Sequence, residues 1–271
     1  MLLSNFHTHT TFCDGKGTVE EMILEAIRLG LSEIGFSSHS YIKDATYTLK
    51  QNTVDEYIST VREMADKYKG QIKIYLGIEA DVRSDIDLSP FDYVIGSAHY
   101  VFAGGVRFDV DHSVECTRNA IENYFGNDPY AYCEAYFEEV SKIYESTHCD
   151  IIGHFDLLTK FIERDPIFST SHPRYIAARD RALDVLLKTP AVFEVNTGAI
   201  SRGYRTSPYP EDAVLMRLRE SGRSVVVNTD CHSVSGLGCE LESSAKRVEA
   251  LGVNRLYRME DILNLTRTRR K

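Results

Sequence analysis

Six short motifs of histidine and carboxylate each close an apolar, strand-like run. They are His7-Thr8-His9 followed by Asp14, Ser38-His39, Gly77-Ile78-Glu79-Ala80-Asp81, Ser97-Ala98-His99, Gly153-His154, and Asp230-Cys231-His232. Between them they hold six of the nine histidines, spread from residue 7 to residue 232. Scattered surface histidines would not collect at strand ends. The pattern demands a fold that carries the ends of many distant strands to one place.

The segments between these motifs supply such a fold. Seven runs read as strands: Leu2 to Phe6, Glu33 to Ser37, Ile72 to Ile78, Tyr93 to Ser97, Ile151 to Gly153, Val192 to Val195 and Ser224 to Asn228. Helical patterns alternate with them. Thr18-Val19-Glu20-Glu21 has the form of a capping box, and Met22, Ile23, Ala26, Ile27 and Leu29 follow at helical spacing until Gly30. Further helices are expected from Thr53 to Tyr68, Tyr130 to Glu145, His172 to Lys188, Glu211 to Glu220, Ser243 to Leu251 and Glu260 to Thr266. Residues 100–128, with Gly104-Gly105 and Asn127-Asp128-Pro129, read as irregular, as in a lid or substrate loop. Strands separated by helices pair in parallel through right-handed crossovers. An open sheet would place a site only at its switch point, whereas a barrel brings every strand end to one rim. Motifs on early and late strands alike therefore predict a closed α/β barrel. No linker or composition shift divides the chain, so residues 1–271 are expected to form a single domain.

The motifs carry metal chemistry. In an extended segment, residues i and i+2 point the same way, so His7 and His9 can reach one cation. With Glu79 and Asp230 they could complete one shell. The two oxygens of Glu79 could bridge to a second ion held by His99 and His154, and Asp14, His39 and His232 could hold a third with room for water. Three carboxylates leave three divalent ions with surplus positive charge, which suits a phosphate dianion. Cys13 and Cys231 flank these ligands, and Asp81 and Asp156 are expected to orient ligands or shape turns. His112, His148 and His172 lie in polar or helix-start contexts outside the set.

Composition narrows the partners. The formal charge of −9 disfavours nucleic acid, which selects clustered Lys and Arg. The exception, Arg267-Thr268-Arg269-Arg270-Lys271, reads as the solvated end of a last helix. No apolar run is long enough for a bilayer, and Met1 to Phe6 lacks the pattern of a signal peptide. Six cysteines without a CxxC pair are expected as free thiols in the cytoplasm.

The ordered set His7-Thr8-His9, Asp14-Gly15, His39, Glu79, His99, His154 and Asp230-Cys231-His232 resembles the PHP (polymerase and histidinol phosphatase) superfamily. The resemblance implies a distorted (β/α)7 TIM-like barrel that binds two or three divalent ions, Zn, Mn or Fe, through the ligand grouping above. The stand-alone length, Glu194 to Gly203, Gly153-His154-Phe155-Asp156 and Tyr209-Pro210 look like the histidinol-phosphate phosphatases of that superfamily. By that likeness Lys160 and Arg202 would bind the substrate's phosphate, with Arg164 and Arg205 as competitors. The expected reaction is hydrolysis of L-histidinol phosphate by a hydroxide bridging two ions, with Asp230 and His232 as catalytic residues. Alternatives are a phosphoesterase for another small ester, such as a nucleotide or sugar phosphate, and a non-catalytic metal-binding module. A nuclease fits the acidic chain poorly.

Overall fold

The computed structural model describes residues 3–268. Ten strands run in chain order: β1 (Ser4–Asn5), β2 (Glu33–Phe36), β3 (Lys73–Asp81), β4 (Tyr93–Ser97), β5 (Tyr100–Ala103), β6 (Val106–Asp109), β7 (Ile151–Ile152), β8 (Val192–Asn196), β9 (Ser224–Asn228) and β10 (Asn254–Leu256). The helices are α1 (Val19–Arg28), α2 (Val54–Lys67), α3 (Val114–Tyr124), α4 (Pro129–Ser141), α5 (Ile143–Thr147), α6 (Pro173–Leu186), α7 (Gly198–Ser201), α8 (Asp212–Glu220), α9 (Leu241–Ala250) and α10 (Met259–Thr268). The capping box predicted for α1 is present: Glu21 N–H donates to Thr18 Oγ1 at 3.2 Å, and Thr18 N–H donates to Glu21 Oε2 at 2.8 Å.

Eight strands form one parallel sheet in the order β1-β2-β3-β4-β7-β8-β9-β10. Beyond the regular strands the sheet curls until its ends meet, at a parallel bridge between Thr8 and Cys231. There His9 N–H donates to the Cys231 carbonyl at 3.0 Å and Cys231 N–H to the His7 carbonyl at 3.3 Å. Seven strands thus make the ring of a distorted barrel, and all seven coincide with predicted runs. The eighth, β10, pairs with the start of β9 and was not anticipated. Its three residues, Asn254-Arg255-Leu256, offer too short and polar a run to read as a strand.

Alternation along the strands separates two cores. Ile74, Leu76, Ile78 and Ala80 of β3 face the surrounding helices. Tyr75 packs against the interior cluster of Phe6, Tyr93, Ile95, Ile151, Val192 and Val226, and α10 stoppers that cluster with Met259 and Ile262. Tyr93 lies across the interior. A Cβ on Gly77 would stand 2.2 Å from its ring and one on Gly35 2.3 Å from its hydroxyl oxygen, so both strands pass the ring only as glycine.

Residues 100–128 are not irregular. β5 and β6 form an antiparallel hairpin that turns at Gly104 and Gly105, both at positive φ, and α3 follows. The glycine pair reads as a breaker, but flanked by alternating apolar residues it marks a hairpin. The helix expected from Tyr130 to Glu145 is broken at Lys142 into α4 and α5. Of the basic tail, residues 269–271 lie outside the described residues. No helix among the described residues is long and apolar enough to cross a membrane.

Candidate metal centre

All nine predicted ligand side chains stand together at the mouth of the barrel. The ladder continues past the strands and fixes their register: Glu79 N–H donates to the Ser38 carbonyl at 3.1 Å and Ser40 N–H to the Glu79 carbonyl at 2.8 Å. His7 Nε2 is 3.3 Å from Glu79 Oε2, and His9 Nε2 is 3.5 Å from the same oxygen and 3.2 Å from Asp230 Oδ1. The other oxygen, Glu79 Oε1, lies 3.3 Å from His99 Nε2 and 2.9 Å from His154 Nε2. Glu79 therefore spans two histidine groups, as a bridging carboxylate must. Asp14 Oδ1 faces His39 Nε2 at 3.7 Å and His232 Nε2 at 3.4 Å.

The three groups are less separate than the motifs suggest. His39 touches two of them, because its Nδ1 lies 2.8 Å from Glu79 Oε2 while its Nε2 faces Asp14. His9 likewise joins His39, Asp14 and His232 as well as His7 and Asp230. Asp230 is held in the left-handed region at φ 46°, a conformation that costs a non-glycine residue free energy and persists only where its surroundings impose it.

Burial and charge fit a cation. His7 Nε2, His9 Nε2 and Glu79 Oε2 are buried and have no hydrogen-bond partner among the described residues, yet they converge. Native interiors rarely leave such groups unpaired, and a divalent ion would satisfy all three at once. Burial pushes the Glu79 carboxyl up, but His7, His39, His99 and His154 outweigh it and hold it well below the usual range. Burial acts the same way on Asp230, where Arg202 and His7 prevail and hold it low. Burial, with His232 and His39 alongside, lowers His9 to about 3, so its ring is neutral and ready to ligate. Burial also lowers His7, but Glu194, Glu79 and Asp230 raise it well above the ordinary value. A cation bound there must displace that proton, so its affinity rises with pH.

A cavity of about 460 Å³ opens over the histidines, and Lys160 and Arg202 line it. Arg202 Nη1 donates to His232 Nδ1 at 2.8 Å, and Nη2 to Asp230 Oδ2 at 3.2 Å. With Nδ1 accepting, the ring proton of His232 sits on Nε2. As a ligand through Nε2, His232 would instead carry its ring proton on Nδ1, which would donate to the Asp230 carbonyl, 3.0 Å away. Lys160 Nζ donates to Asp111 Oδ2 at 3.0 Å and to the Asp111 carbonyl at 2.7 Å. Arg205 is buried instead against Thr159 and Ser207, and Arg164 lies beside Gly203.

Asp81 accepts from both the backbone N–H (2.9 Å) and Nδ1 (3.2 Å) of His99, as an orienting residue would. Asp156 does not cap the turn that follows it; its Oδ2 accepts from Glu211 N–H at 2.9 Å, at the start of α8. Cys13 Sγ stands 3.4 Å from His9 Nδ1, whereas Cys231 Sγ receives Asn5 Nδ2 at 3.8 Å. His112 belongs to none of the ligand groups, as expected, but lines the cavity wall, where the chain beyond β6 carries it. His148 ends α5 and His172 caps α6. Two buried groups lie in the motifs but had been given no role: Ser97 Oγ donates to Glu79 Oε1 at 2.7 Å, and Glu194 Oε1 accepts from His7 Nδ1 at 2.7 Å.

The model of the PHP domain family matches residues 5–198, well over half of the chain. The chain belongs to the PHP domain family. The matched stretch carries the ligand candidates from His7 to His154; Asp230 and His232 lie beyond it and reach the PHP site through closure of the barrel. A Schizosaccharomyces pombe protein named probable histidinol-phosphatase is 27% identical, over 94% of this chain and 88% of its own length. The Bacillus subtilis histidinol-phosphatase is 23% identical, over 89% of this chain and 97% of its own. The PHP fold recurs in a solved Listeria monocytogenes chain with a TM-score of 0.77, 22% identity and coverage of 89% of this chain and 99% of that one. It recurs also in histidinol phosphate phosphatase of Lactococcus lactis, solved with zinc, L-histidinol and phosphate, with a TM-score of 0.70, 20% identity and coverage of 94% and 95%.

Proposed function

We propose that this PHP chain is a metal-dependent phosphomonoesterase that hydrolyses L-histidinol phosphate to L-histidinol and phosphate, a step of histidine biosynthesis. The observation that carries the reading is the convergence of three orphaned ligand atoms, on His7, His9 and Glu79, below a cavity lined by Lys160 and Arg202. The names of the full-length relatives support the substrate. His7, His9, Asp14, His39, Glu79, His99, His154, Asp230 and His232 are the proposed ligands of two or three divalent ions, Zn, Mn or Fe. When bound, such ions supply Lewis acidity towards phosphoryl oxygens and acidify water near neutral pH.

The side chains do the rest. Arg202 and Lys160 take the phosphoryl oxygens and neutralise charge that grows as phosphorus gains the oxygen of water and loses the ester oxygen. The departing alkoxide needs a proton. Asp230 is held ionised and so is a poor donor, and His232 as a ligand would carry no proton on Nε2, so water acidified at the centre would supply it. Cys13, Cys116, Cys133, Cys231 and Cys239 are free thiols, which supports a cytoplasmic setting.

The test is steady-state kinetics on a panel of phosphate monoesters, before and after chelation and zinc repletion. Histidinol phosphate is expected to be preferred, with activity lost to the chelator and restored by the metal. Equal turnover of nucleotide and sugar phosphates would refute the substrate, and metal binding without any turnover would leave a binding module. Arg202→Ala is expected to lower kcat/KM about 100-fold, the usual loss when one preorganised donor to developing charge is removed; an unchanged value would remove Arg202 from the site.

A further inference from the structure

Glu194 belongs to none of the ligand groups, yet it is the most fully bonded carboxylate beneath them. It stands on β8 and is 1% exposed. Its Oε1 accepts from His7 Nδ1 at 2.7 Å and Asn228 Nδ2 at 2.9 Å. Its Oε2 accepts from His154 N–H at 2.9 Å and Asn196 Nδ2 at 2.8 Å. The two asparagines are held in turn, since Asn228 Oδ1 accepts from Phe6 N–H and Asn196 Oδ1 from Gly198 N–H, both at 2.8 Å. Burying a carboxylate is costly, and four hydrogen bonds to its charged form offset that cost.

We infer that Glu194 is a positioning residue that prepares two neighbouring ion sites at once, an inference that rests on the proposed role of His7 and His154 as ligands. By accepting from Nδ1 of His7 it leaves the Nε2 lone pair facing Glu79 Oε2 and Asp230 Oδ1. By holding the backbone of His154 it sets the ring that reaches Glu79 Oε1. All four groups around Glu194 are donors, so glutamine could not replace it. An amide in either orientation turns its NH2 against two donors. If the NH2 faces His7, it moves the ring proton to Nε2, where the ion should bind.

The experiment compares wild type and Glu194→Gln, both stripped of metal, in zinc titrations against a chromophoric chelator and in thermal melts. The tightest zinc is expected to bind about 10- to 100-fold more weakly in the variant, as when other partners of metal-bound histidines are lost. A lower melting midpoint of the metal-free variant with unchanged zinc affinity would assign Glu194 a structural role only and overturn the inference. If the variant does not fold, nitrogen NMR of zinc-loaded wild type decides: His7 should show a protonated Nδ1 and a metal-bound Nε2, and the reverse overturns the inference. Phosphatase activity is read separately. Weakened zinc in a protein that hydrolyses no ester would uphold the role of Glu194 and sink the proposed function.

Discussion

Glu79→Gln is expected to reduce ester hydrolysis more than about a thousandfold, equivalent to about 4 kcal/mol of transition-state stabilisation. No other carboxylate here serves as many candidate ligands. Its Oε2 faces His7, His9 and His39, and its Oε1 faces His99 and His154. An amide keeps the shape but removes the charge that balances two cations, and its NH2 end turns a donor towards sites that need an acceptor. The zinc-loaded variant should also hold fewer ions per chain, measured by atomic absorption. Full turnover by this variant would contradict a centre built around Glu79.

Gly77→Ala is the substitution expected to damage the fold most. The added methyl would sit 2.2 Å from the ring of Tyr93, which is fully buried and pinned by its own hydrogen bond to the Phe6 carbonyl. Gly35 blocks the ring's retreat on the neighbouring strand. Overpacking at this distance costs about 3 kcal/mol, and for a domain of this size it should lower Tm by about 6 °C or more. A calorimetric melt equal to wild type would show that the ring has room the structure does not reveal.

The ligand candidates were legible because each motif pairs a chemically specific residue with the end of an apolar run. That combination says both what the side chain can do and where the backbone points it. Glu194 was not legible in this way. Val192-Phe193-Glu194-Val195-Asn196 alternates like any half-buried strand, and alternation cannot tell a solvated face from the interior of a barrel. Only closure of the ring turns that face inwards. Lys160 and Arg202 were preferred to Arg164 and Arg205 by resemblance alone, for a related reason. Their directions depend on the short turn Leu157–Thr159 and on α7, neither of which has a periodic signal. Strand β10 was too short to register, and the break at Lys142 carries no glycine or proline to announce it.

The ring of Tyr93, with Phe6 and Tyr75 beside it and Met259 and Ile262 beneath, fills the barrel from wall to wall. Its hydroxyl donates to the carbonyl that directly precedes His7. The site therefore has a solid floor, and it opens on the other side through the cavity that Lys160 and Arg202 line. On the proposed function, ester and water would enter, and both products would leave, past Lys160 and Arg202.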